Sequence, residues 1–267
     1  MATPLSELEA FLLDMDGTTY LGHRLLPGAR RFLALLERRG APFLFFTNNS
    51  SADRNHYAAK LANMGLPVPP ERVITSGEAT ALYLTSSTPY RRVYVVGTPS
   101  LERELAEAGL ELVEEGAEAV VLGFDTTLTY AKLERAAHLL RAGAAFFATN
   151  PDKVCPTERG PIPDCGSIIA LLRTATGAEP TVIGKPEALM VEMALEKLGG
   201  IGAERVGLVG DRLYTDIRMA NRCGLTAILV LSGETRRADL DASPDRPDYV
   251  LKDLGQLAGA LAGAWAT

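Results

Sequence analysis

The stretch Phe11-Leu12-Leu13-Asp14-Met15-Asp16-Gly17-Thr18 constrains this chain more than any other. An apolar run that stops at two carboxylates and a glycine reads as a buried strand delivering acids to the edge of a sheet. Strands of parallel sheets are hydrophobic almost throughout, and ligands collect beyond their carboxyl ends. Asp14 and Asp16 therefore stand where chemistry is usually done. A solvated acidic turn bent by Gly17 explains the same segment equally well, so the rest of the chain has to decide.

After a turn at Leu26-Pro27-Gly28, Phe32, Leu35 and Leu36 repeat at helical spacing between Ala29 and Arg39, and Gly40 ends the helix. Pro42 to Phe46 is a second apolar strand, followed by Thr47-Asn48-Asn49-Ser50-Ser51. A β-α-β unit returns this strand parallel to the first, so Thr47 and Asn48 emerge on the edge that carries the acids. A helix over 54–64 and a short strand over 73–75 come next.

From about Thr80 the pattern restarts, with strands near 93–97, 119–123 and 144–148 alternating with helices near 101–108 and 130–141. Thr149-Asn150-Pro151-Asp152 follows, then a Pro- and Gly-broken stretch from Cys155 to Gly166 and a helix over 167–176. This segment can bury a core of its own. It predicts a second domain, 80–180, inserted into a first made of 1–79 and 181–267. Near Thr181 the first domain resumes: Val182-Ile183 ends in Gly184-Lys185-Pro186, and a helix runs from Glu187 to Leu198. The strand Arg205 to Val209 ends in Gly210-Asp211-Arg212-Leu213-Tyr214-Thr215-Asp216. Strands over 227–231 and 249–251 and a helix over 254–261 close the chain.

Composition narrows the function. A net charge of -6, with arginines only in short pairs such as Arg30-Arg31, excludes the basic surface that grips nucleic acid or an anionic membrane. No apolar run approaches the ~18 residues of a membrane span. Glu7 and Glu9 precede the first strand where a leader would be basic and then apolar, so a soluble cytoplasmic protein is expected. Cys155, Cys165 and Cys223 are odd in number and lack CxxC spacing, which points away from disulfides and structural zinc. His23, His56 and His138 are scattered and suggest no triad.

Four apolar segments thus stop at Asp14/Asp16, Thr47/Asn48, Lys185 and Asp211/Asp216. On one sheet edge they offer acids for a divalent metal, a hydroxyl and an amide for an oxyanion, and a lysine for a second negative charge. That is equipment for phosphoryl transfer.

The set D-x-D-G-T, T-N-N, G-K-P and G-D-x-x-x-T-D, in this order, with an inserted domain between the second and third, resembles the haloacid dehalogenase-like (HAD) phosphatases. It looks most like their subclass IIA, the 4-nitrophenylphosphatase-like enzymes, and the likeness spans nearly the whole chain. The resemblance implies an α/β fold, a doubly wound parallel-sheet Rossmannoid core with an inserted C2-type α/β cap. It implies a Mg²⁺-dependent phosphatase of small phosphate monoesters, such as sugar phosphates, nucleotides, phosphoglycolate or pyridoxal phosphate. Asp14 would be the nucleophile that forms an aspartyl-phosphate, and Asp16 the general acid and base, its pKa tuned above that of Asp14. Asp14, the backbone carbonyl of Asp16 and Asp211 would hold the metal. Thr47, Asn48 and Lys185 would bind the phosphoryl oxygens, and Asp216 would orient Lys185 or a metal-bound water. Asn150, Asp152 and Cys155 would touch the organic part of the substrate. Where such caps often read P-G-x-G, this chain has Pro163-Asp164-Cys165-Gly166.

Other chemistries compete less well. A phosphotransferase or mutase would use the same residues and pass the phosphoryl group to a sugar. A receiver-type signalling switch also clusters Asp, Thr and Lys around Mg²⁺ but has no place for the insertion between Thr47 and Lys185. In a P-loop the lysine precedes Ser or Thr, whereas Lys185 precedes Pro186, and no G-x-G-x-x-G follows a strand. A homo-oligomer, most simply a dimer, is compatible with the sequence.

Overall fold

The computed structural model describes residues 3–265. Its centre is a six-stranded parallel sheet in the order Tyr249–Leu251, Thr226–Val230, Val206–Gly210, Ala10–Asp14, Phe43–Thr47, Val73–Thr75. The chain enters at Ala10–Asp14, builds outward through Phe43–Thr47 to Val73–Thr75, and later returns to build the other half from Val206–Gly210 outward. The order therefore reverses between Ala10–Asp14 and Val206–Gly210. A crevice opens beyond the carboxyl ends at such a reversal, because the two connections leave in opposite directions.

Side chains alternate across the sheet, and both faces are covered. Phe11, Leu13 and Phe45 pack with Phe32 and Leu36 of the helix Ala29–Arg39 and with Leu257 and Leu261 of the helix Leu254–Ala264. Phe11 and Phe32 meet edge to face at 5.6 Å. Leu12, Leu44, Phe46 and Leu208 point the other way, among Met190, Ile217 and Met219. Each such buried side chain contributes roughly 1.5–3 kcal/mol relative to exposure. That holds the strand ends rigidly enough to carry charged groups.

A second, five-stranded parallel sheet has the order Thr181–Val182, Ala145–Ala148, Ala119–Leu122, Arg92–Val96, Glu111–Leu112. One face is covered by the helices Tyr130–Arg141 and Cys165–Thr176. The other, through Val93, Val95, Val121 and Phe147, joins the apolar cluster that contains Leu12 and Phe46. The fold is thus α/β, a doubly wound parallel core with an inserted α/β unit.

One expected element lies elsewhere. The short strand before Lys185 was expected in the first sheet, but Thr181 and Val182 pair with Phe147 and Ala148 of the second. Two residues are too few for periodicity to assign a sheet. Lys185 consequently reaches the site from the side of the inserted unit. Among the described residues no helix is long and apolar enough to cross a membrane.

Candidate active site

Leu13 pairs with Val209, which sets Asp14 and Asp211 beside one another at the reversal point. Both are buried, 8% and 1% exposed. After Asp211 a wide helical turn, Leu213–Ile217, brings Asp216 back over the end of its own strand. Gly210 permits this, since a Cβ there would lie 2.3 Å from that of Asp216. Asp14, Asp211 and Asp216 each bring one carboxylate oxygen within 4.8 Å of the others.

Lys185 ties two of them together, its Nζ donating to Asp14 Oδ1 at 2.6 Å and to Asp216 Oδ1 at 2.7 Å. Burial alone would lower the Lys185 ammonium, but the charges of Asp14 and Asp216 outweigh it and keep it protonated. Asp216 Oδ2 accepts the Arg212 N–H, so both of its oxygens are engaged. Asp14 Oδ2 and Asp211 Oδ1, in contrast, are buried with no hydrogen-bond donor. An unmet buried acceptor costs about 1–3 kcal/mol, and more when charged. Paired carboxylate oxygens of this kind suit a hard divalent cation, so the residues fit one.

The same burial, reinforced by neighbouring negative charge, raises both Asp14 and Asp211. Asp16, at the turn formed by Gly17, is raised by burial and opposed by Lys60 and by the Tyr20 hydroxyl, which donates to it at 3.3 Å. The resemblance implies an Asp16 whose pKa stands above that of Asp14. The protein alone does not make that contrast, because Asp14 is buried too and faces Asp216.

A small cavity of about 30 Å³ lies over these groups, lined among others by Asp14, Asp16, Thr47, Asp152, Cys155 and Lys185. It has room for about two waters. Its roof comes from the inserted unit. Thr47 Oγ1 accepts the Asn49 N–H, which leaves its hydroxyl proton for another acceptor. Asn48 also lines the cavity, but its carboxamide is occupied: Oδ1 accepts the Lys185 N–H, and Nδ2 donates to the Lys185 carbonyl and to Asp152. Its side chain therefore holds Lys185 in place. Asn150, expected to touch substrate, is fully buried behind Asn48 and Asp152 and does not itself line the cavity. Its Nδ2 donates to the Asn48 carbonyl and its Oδ1 accepts the Asp152 N–H, which folds the loop.

Arg212, Asp164 and Thr215, none of them a site candidate from the sequence, also line the cavity. Arg212 is 7% exposed and pairs with Asp152 and Glu234, both at 2.9 Å. An arginine directly after the acid of an apolar strand was the available signal.

Residues 11–111 match the family model described as haloacid dehalogenase-like hydrolase, and residues 182–257 match a second, HAD-hydrolase-like model. An acid sugar phosphatase of Staphylococcus aureus is 38% identical over 258 residues, 96% of this chain and 99% of that one. The crystal structure of a 4-nitrophenylphosphatase from Thermotoga maritima is 46% identical with a TM-score of 0.91, over 96% of this chain and 98% of the other. A glycerol phosphate phosphatase of Mycobacterium tuberculosis, solved in complex with magnesium, is 38% identical with a TM-score of 0.87, over 97% and 79%.

Proposed function

The chain belongs to the haloacid dehalogenase-like hydrolase family and is a phosphatase, and from that premise we propose that it hydrolyses small phosphate monoesters through a phosphoryl group carried on Asp14. In this reading residues 1–79 and 183–267 form the catalytic core. Residues 80–182 form the cap, the edge strand Thr181–Val182 being counted with the sheet it joins.

The observation that carries the reading is the cluster of Asp14, Lys185, Asp216 and Asp211 at the sheet's reversal point, with one oxygen of Asp14 bound by Lys185 and the other unmet. The Asp14 carboxylate is the attacking group. Lys185 orients the carboxylate and offsets the charge of the incoming phosphoryl group, and Asp216 and Asn48 hold Lys185. The Thr47 hydroxyl donates to a phosphoryl oxygen. Asp16, raised by burial, gives its proton to the departing alkoxide and then takes one from the water that hydrolyses the aspartyl-phosphate. Asp14, Asp211 and the main-chain carbonyl of Asp16 would hold Mg²⁺, which would supply Lewis-acid neutralisation of the phosphoryl charge. The inserted unit excludes water from the cavity and contacts the alcohol.

The test is phosphate release from 4-nitrophenyl phosphate with Mg²⁺ and after chelation. Release that disappears with EDTA and returns with Mg²⁺ is expected. Equal release without metal would remove the cation from this account.

A further inference from the structure

The Asp16 carboxylate is held by residues outside the four motif segments. Gly17 turns the chain with a positive φ, its N–H donates to the Tyr20 carbonyl at 2.9 Å, and the Tyr20 N–H donates to the Met15 carbonyl at 3.1 Å. The residue four places after Asp16 is thereby folded back against it. Tyr20 opens the hairpin of Tyr20–Leu21 with Arg24–Leu25 and is fully buried in the apolar cluster of Phe11, Met15 and Phe32. Its hydroxyl donates to Asp16 Oδ2 at 3.3 Å and, among the described residues, is the one hydrogen-bond donor to that carboxylate. The Tyr57 hydroxyl, in the same cluster, is taken by the Asn49 carbonyl at 3.1 Å. Lys60, in the last turn of the helix Arg54–Asn63, sets its Nζ 4.0 Å from the centroid of the Tyr20 ring. Its charge acts on Asp16 more strongly than that of Arg212 or Lys185.

A cation over the face of a phenol ring draws electron density from it, which makes the hydroxyl a better donor and a poorer acceptor. Asp16 lines the cavity and Tyr20 does not, so the oxygen that Tyr20 engages is the one turned from the reacting groups. We propose that Tyr20, backed by Lys60, is a positioning residue that keeps the transferable proton of Asp16 on Oδ1, the oxygen left for the cavity. As Asp14 attacks phosphorus, the Oδ1–H bond of Asp16 breaks and its proton joins the ester oxygen while the P–O bond opens. As water then attacks the aspartyl-phosphate, a water proton returns to Oδ1 and the Asp14 carboxylate is released. The Tyr20 proton stays on its own oxygen in both steps. The inference rests on the phosphatase reading above and adds to it the residues that orient the acid.

Two aryl phosphates of similar shape separate delivery of the proton from the architecture of the site. Phenolate, with a pKa near that of a tyrosine side chain at about 10, has to be protonated as it leaves, whereas 4-nitrophenolate is a far weaker base. In Tyr20→Phe, which removes a single hydroxyl, kcat for phenyl phosphate is expected to fall about tenfold with KM little changed. First-turnover release of 4-nitrophenolate falls by much less. Because Asp16 also serves the water step, acid-quenched Tyr20→Phe holds more phosphoryl label during turnover of 4-nitrophenyl phosphate than the wild type does. Lys60→Met reproduces the leaving-group effect at roughly threefold, and Lys60→Arg, which keeps the cation over the ring, restores it. An equal effect of Tyr20→Phe on first-turnover release from both esters, or no effect on either, would overturn the inference, as would wild-type rates for both in Lys60→Met. A wild type that releases phosphate from neither ester would overturn the phosphatase reading, and this inference with it.

Discussion

Glu104, on the helix Pro99–Glu107 of the inserted unit, presses against the helix Ser76–Ser87 with Oε2 buried and unpartnered. Thr75 donates to its Oε1 at 3.3 Å. Burial, with help from the charge of Glu78, raises its pKa from 4.5 to about 7. A carboxyl raised on folding adds stability below its unfolded value, and that contribution is lost as pH rises through about 7. Glu104→Gln is therefore expected to stabilise the protein by about 2 kcal/mol at pH near 8. Near pH 4 it should change little. Thermal melts of both proteins at both pH values check this, and an equal shift at both would refute it. Glu104 and Asp14 look alike as letters in a sequence. What separates them is position: Asp14 ends a strand at the sheet's reversal point, whereas Glu104 faces a neighbouring helix. Asp14, Thr47, Lys185 and Asp211 were legible because each ends an apolar run. Arg212 and Asn150 were not, since the role of each depends on a partner, Asp152 or Asn48, from the other unit.

At the scale of elements, the turn that follows the first strand sets the geometry of the site. Gly17 has a φ of 91°, a left-handed conformation that L side chains rarely adopt, and a Cβ there would lie 2.5 Å from Asp211 Oδ2. Gly17→Ala adds about 1–2 kcal/mol of backbone strain and pushes Asp211 aside. The Mg²⁺ concentration for half-maximal activity is then expected to rise by roughly tenfold, as when a supporting group of a metal site is lost. A metal titration of phosphate release measures it, and an unchanged midpoint would contradict the placement of Asp211. The strands and crossover helices of the core were readable from runs of apolar residues. The hairpins Tyr20–Leu21 with Arg24–Leu25 and Val154–Cys155 with Ile162–Pro163 were not, because each strand has only two residues. The helix Ser76–Ser87 escaped for another reason. It is packed between the two sheets and has apolar and small residues on several sides, so no one-sided stripe marks it.

Across the whole molecule, two α/β units share one apolar cluster and one polar cavity. The core contributes the acids and Thr47, the inserted unit contributes Asp152, Cys155 and Asp164, and Lys185 lies on the connection between them. A cavity of about 30 Å³ is smaller than a phosphate ester. Insertion of a second α/β series between Thr47 and Lys185 was legible from the repeat of strand and helix patterns. The closeness of the roof was not, because it depends on side-chain pairs such as Ser50 with Thr149, at 2.9 Å across the two units. The proposed hydrolysis depends on the Asp14 carboxylate taking the phosphoryl group. The direct measurement is acid quenching during turnover of a radiolabelled phosphate ester, followed by mapping of label retained on the protein. The account predicts label on the peptide containing Asp14, and none in a folded Asp14→Asn protein whose turnover falls by about a thousandfold or more. Label on another residue, or undiminished hydrolysis by Asp14→Asn, would contradict it.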